Sequence, residues 1–158
     1  MIFTHCILGF ALTAANQASV MPLVSVVLRE QATTFLEEKD YTLSRKFIER
    51  WQFLPKPCKI VLLETLACRL SSNKRIKLVN TEDMIIPSRL FSGDMQWPGH
   101  GYVIRQDLFV AGGKAAWAIA ELIGTELPEV TEGQTKKERA AMAVKIEQRI
   151  KEYAKGAK

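Results

Sequence analysis

The sequence predicts an all-α protein, and three observations carry that reading. Leu43, Phe47, Ile48 and Trp51 recur at the spacing of one helix face. Small residues recur at every fourth position in Gly112, Ala116, Ala120 and Gly124. Thr135-Lys136-Lys137-Glu138 has the pattern of a capping box at the start of a charged helix. The chain has 158 residues, 47% apolar and 25% charged, which suits one ordinary globular domain and argues against wholesale disorder. The expected architecture is several amphipathic helices, one long small-residue helix (GxxxAxxxAxxxG) and a charged C-terminal helix. It divides into an uncharged apolar segment at 1–28, a basic amphipathic helical region with a loop at 29–101, the small-residue helix at 102–127 and a charged projecting helix at 128–158.

Charge is arranged in blocks. Met1 to Leu28 carries no Lys, Arg, Asp or Glu, so this stretch has the length to span a bilayer, given about 20 residues for the hydrocarbon core. Thr13 to Ser19 is polar for lipid, and Pro22 is expected to interrupt or kink a helix there. No Lys or Arg precedes the apolar run, which weakens a signal-peptide reading. Three readings stay open: a membrane-embedded or membrane-apposed segment, a buried core helix, or an extended arm against a partner.

The middle is helical and basic. Asp40 is placed to cap a helix through Leu43 and Trp51, and Leu54-Pro55-Lys56-Pro57 ends it and opens the next. That next helix carries Ile60, Leu63, Leu66, Ala67 and Leu70 on its apolar side and closes at Ser71-Ser72-Asn73. A third short helical segment is expected from Thr81, with Glu82 and Asp83 in its first turn and a break at Pro87. Between Arg45 and Lys77 there are nine basic residues against Glu49 and Glu64. Arg45, Lys46, Arg50, Lys56, Lys59, Lys74, Arg75 and Lys77 are therefore candidates for contact with anionic headgroups, cardiolipin included, or with RNA phosphates. A solvated surface explains the same residues.

Gly93 to Gly101 is dense in turn formers, and its His100 has no cysteine or carboxylate at ligand spacing. From Tyr102 to Leu127 one long helix is expected. Its stripe of Gly112, Ala116, Ala120 and Gly124 allows another helix to approach closely, as in small-xxx-small packing, within one soluble helix pair or beside a membrane. Lys114 and Glu121, seven apart, lie roughly on one face where they would meet a partner's charges. Gly113-Lys114 is not a nucleotide loop, because Leu108 and Ala115 stand where that motif needs Gly and Ser or Thr.

Ala120-Glu121-Leu122-Ile123-Gly124, with Trp117 before it and Arg105 upstream, resembles the membrane helix of the mitochondrial ATP synthase subunit g family. The resemblance covers about 20 residues. It departs from the family in having Trp117 as the lone aromatic before the Glu, Lys114 in mid-helix and Pro128 after the helix. It implies an inner-membrane accessory subunit in which Glu121 and the small stripe contact a neighbouring single-helix subunit.

The last block, Lys136 to Lys158, holds eight basic residues against three acidic ones. Met142, Ile146, Ile150 and Tyr153 supply about one apolar anchor per turn, the pattern of a projecting surface helix, with an RNA-binding tail as the other reading.

The sequence shows no nucleophile–base pair, nucleotide loop or paired carboxylates in a pocket-like context. His5 and His100 are too few and too far apart for most metal sites, and three cysteines make no disulfide framework. No cofactor is expected. The sequence thus reads as a non-catalytic accessory subunit of a mitochondrial inner-membrane complex, with other subunits and anionic lipid as partners. The alternative is a soluble helical RNA-associated protein, such as a peripheral ribosomal protein.

Overall fold

The computed structural model describes residues 14–96 and 99–156. The described residues form six helices and two short strands, so the chain is mainly helical. Most of the 1–28 segment's apolar start lies outside them, as do Trp97 and Pro98 of the expected loop.

Helix α1 (Ala14–Glu37) runs straight across the 28/29 composition boundary. Pro22 lies inside it and does not end it. A proline there costs a backbone bond, but the downstream half is fixed by packing: Leu28, Ala32 and Phe35 are buried, and α1 lies against α3 and α5. Helix α2 (Tyr41–Trp51) starts where Asp40 caps it, the carboxylate accepting from the Leu43 N–H at 3.0 Å. Its buried face is Tyr41, Ser44, Ile48 and Trp51, and Trp51 Nε1 donates to Gln31 Oε1 at 3.1 Å, tying α2 to α1.

Helix α3 (Lys56–Ala67) has Pro57 in its first turn, and it ends before the expected Ser71-Ser72-Asn73 stop. Leu70 is buried in the turn that follows. The segment expected to be helical from Thr81 is a turn followed by strand β1 (Met84–Ile85). Pro87 does not break a helix; it begins α4 (Pro87–Ser92), because a first-turn proline lacks only an N–H that would have no helical partner anyway.

The long helix expected over 102–127 is much shorter. Tyr102–Val103 is strand β2, parallel to β1 with Met84 opposite Tyr102 and Ile85 opposite Val103. Helix α5 covers only Ala111–Ile123 and stops at Gly124, which adopts a left-handed φ of 67°. Its 13 residues give roughly 20 Å of length, well short of a hydrocarbon core of ~30 Å. No described helix is long and apolar enough to cross a membrane.

Ala111 to Ile119 are all buried, so α5 is the central helix. Gly112 and Gly113 serve contacts within this chain: a Cβ on Gly112 would strike the carbonyl oxygens of Leu70 and Ser72, and one on Gly113 the backbone of Asp107, whereas one on Gly124 would meet open space. Around α5 sits an aromatic core, with Phe35 5.2 Å from Trp51 and Tyr41 stacked on Trp117 at 5.8 Å.

Helix α6 (Lys136–Lys155) has the expected capping box: Glu138 N–H donates to Thr135 Oγ1 at 3.2 Å, and Thr135 N–H donates to Glu138 Oε2 at 2.7 Å. It does not project. Ala143, Ile146 and Ile150 are buried against α3 and α5. Ala143 completes an apolar face broader than the large residues alone define, and Arg139 is buried beside it with its guanidinium on the Asn73 side chain.

Candidate binding site

The groove along β2 brings exposed backbone, charged and aromatic groups together on the described surface. Tyr102 N–H donates to Asp83 O at 2.7 Å and Ile104 N–H to Ile85 O at 2.8 Å, so the intervening Val103 N–H and C=O point away from β1. Among the described residues neither group has a hydrogen-bond partner. Tyr102 and Val103 are both exposed.

Two clefts, of about 410 and about 380 Å³, meet at this strand and share Val103, Ile104, Trp117 and Glu121. Trp117 and Ile104 are buried and form the floor. One wall is α2, with Arg45, Glu49 and Gln52; the other is the end of α5 and the chain beyond it, with Ala120, Gly124 and Glu126.

Most charges in the groove are already engaged. Arg45 lies 4.0 Å from the Tyr102 ring centroid and 3.5 Å from Glu49. Burial works against the Arg45 charge, but Tyr102, Tyr41 and Glu49 outweigh it and raise its pKa. Burial raises the Tyr41 phenol, and Arg45 partly offsets that. Arg105 pairs with Glu126 at 3.3 Å. Glu121 is exposed, with no ion pair or hydrogen bond among the described residues. Such a surface can bind an extended chain through backbone groups and an apolar floor.

Among the residues singled out in the sequence, Arg45, Ala120, Glu121 and Gly124 line this groove. Gly112 and Ala116 are buried in the domain and present nothing outward. Lys114 does not share an outer face with Glu121: it is fully buried, its Nζ donates to the Glu38 carbonyl, and it sits 4.8 Å from the Phe35 ring centroid. The resemblance to a membrane helix therefore falls on a helix packed inside a domain.

The basic residues do not form one patch. Lys46 and Arg50 are exposed on α2, and Lys59 is partly buried on α3. Lys56 lies 5.4 Å from the Tyr153 ring near the end of α6. Asn73, next to Lys74 and Arg75, bonds Arg139 near the start of α6. The intervening part of α6 puts those sites roughly 20 Å apart. Lys74 and Lys77 are exposed, while Arg75 is paired with Glu132.

Sequence reasoning missed the β2 edge, although Gly101 followed by Tyr102-Val103-Ile104 is a short strand signature. It also missed Arg89, Asp107 and Glu132, an ion-pair cluster whose partners are 18 and 43 residues from Arg89 and carry no local signal. No group of three His, Cys, Asp or Glu that could hold a metal occurs among the described residues.

Comparison with protein-family models, with curated proteins and with solved structures finds no match to this chain. The site has to be read from its own chemistry.

Proposed function

We propose that this chain is a structural, non-catalytic accessory subunit of a multi-subunit, membrane-associated complex, and that the Leu23–Val27 stretch of α1 is a surface it contributes to that assembly. The observation that carries the reading is the outward apolar face of α1: Leu23 is 71% exposed, Val26 51% and Val27 45%. They lie in a stretch without a charged residue before Arg29, whereas Leu28, Ala32 and Phe35 of the same helix are packed into the core. An uncovered apolar helix face of this kind supports contact with a partner subunit or a membrane surface. The segment resembling subunit g nominates the mitochondrial inner membrane and its ATP synthase as the complex to test first, with cardiolipin as the anionic lipid.

The test is carbonate extraction of membranes followed by native gel separation of the tagged chain, comparing the wild type with a Leu23→Glu, Val26→Glu double variant. Both sites face solvent, so the fold should tolerate the change. The wild type is expected in the pellet and in a large complex, and the variant is expected in neither. Equal retention of the variant would overturn the reading. So would a wild type released by carbonate, and salt-sensitive RNA binding of that released protein would put the RNA-associated role in its place.

A further inference from the structure

We infer that the β2 groove binds an extended, basic segment of a partner protein, which adds as a third strand beside Val103. This surface is separate from the apolar face of α1, and the inference does not depend on the accessory-subunit reading.

The backbone supplies the first argument. Val103 presents an N–H and a C=O outward on an edge strand, which is the template an added strand uses. Charge supplies the second. Arg45 is held by Tyr102 and Glu49, and Arg105 by Glu126, which among the described residues leaves Glu121 as the unpaired charge in the part common to both clefts. The complementary side chain is Lys or Arg. Spacing supplies the third. Trp117 and Glu121 are one helical turn apart on α5, about 6 Å along the axis. Same-face residues i and i+2 of a strand are about 6.8 Å apart. An apolar residue and a Lys or Arg two positions apart therefore match the Trp117–Glu121 spacing in length.

The experiment uses the full chain, labelled with nitrogen-15, titrated with a capped heptapeptide of alternating threonines carrying Leu and Lys two positions apart. Saturable shifts are expected at the Val103 amide and the Trp117 indole. Replacing the peptide's Lys by Glu should weaken binding, and Glu121→Lys should reverse that preference, each by about fivefold or more, the scale of an exposed ion pair plus the like-charge contact that replaces it. Val103→Pro removes an outward N–H on an edge strand, where proline is tolerated, so the chain should keep the spectrum of a folded protein and lose the peptide. No saturable shift, shifts away from the groove, or a Glu121→Lys chain with unchanged preference would each overturn the inference. So would concentration-dependent shifts at Val103 without peptide, which would assign the edge to a second copy of the chain.

Discussion

Arg89 and Asp107 meet through two parallel hydrogen bonds, Nε to Oδ1 at 3.1 Å and Nη2 to Oδ2 at 2.9 Å. The Asp107 side chain is buried, and it also accepts from the Phe109 N–H and the Glu132 N–H, each at 3.1 Å. One carboxylate thus fixes α4, the turn leading into α5 and the loop before α6. Glu132 adds a further bond to Arg89 at 2.7 Å and pairs with Arg75. Burial works against the charge on both Arg89 and Glu132. Their partners prevail, raising the pKa of Arg89 and holding the Glu132 carboxyl below its usual range.

Removing the Asp107 carboxylate takes two bonds from the Arg89 guanidinium, which keeps Glu132 and Asp94, and leaves the Phe109 and Glu132 N–H groups without their acceptor. Asp107→Ala is expected to cost about 2–3 kcal/mol, because a buried carboxylate that accepts four hydrogen bonds is lost while Arg89 stays paired with Glu132. Urea unfolding of the variant checks this, and a loss below about 1 kcal/mol would show that Glu132, Asp94 and water suffice for Arg89 and that the Asp107 bonds add little.

Burial lowers the Lys114 pKa from 10.5 to about 8, with Glu38 opposing the shift. Between those values the unfolded chain binds more protons than the folded one, so this group makes stability rise with pH across that window. Relative to Lys114→Met, the wild type should gain roughly 2 kcal/mol between pH 8 and pH 10. Measuring both proteins at each pH cancels the opposing titrations of Tyr41 and Cys58. A constant difference between them would contradict the shift.

The glycines of α5 should rank by what surrounds them. Gly112→Ala and Gly113→Ala push a methyl into backbone atoms that cannot move aside, and each is expected to abolish or severely weaken folding. Gly124→Ala meets open space and pays only for its positive φ, about 1 kcal/mol. Thermal melts that placed Gly124 as the most sensitive of the three would refute this ordering.

Thr135→Ala removes one half of the capping box and should cost about 1 kcal/mol. Amide exchange is the sensitive readout. Protection should fall for Glu138 and its neighbours in the first turn of α6, and stay unchanged around Ile146 and Ile150.

Local chemistry made part of this molecule legible. The Asp40 and Thr135 caps each act over three residues, so sequence alone located the starts of α2 and α6. Of the apolar stripe that predicted α2, Ile48 and Trp51 are buried, but they share their face with Tyr41 and Ser44 while Leu43 is exposed. Of the two glycines in the expected stripe, Gly112 approaches the Leu70 and Ser72 carbonyls and Gly124 faces open space, a difference that small residues at every fourth position do not show. The strands are set by pairing between Met84 and Tyr102, which outweighs the helical reading of Tyr102 and Val103. Lys114 reads as an outward charge until the end of α1 is brought to it, since the Glu38 carbonyl it bonds is 76 residues away. Sequence by itself determined the helical class and the helix caps, which depend on neighbours along the chain. Only the tertiary structure decided which faces are used up inside the domain and which, at α1 and along β2, are left facing outward, because those outcomes depend on contacts between distant segments.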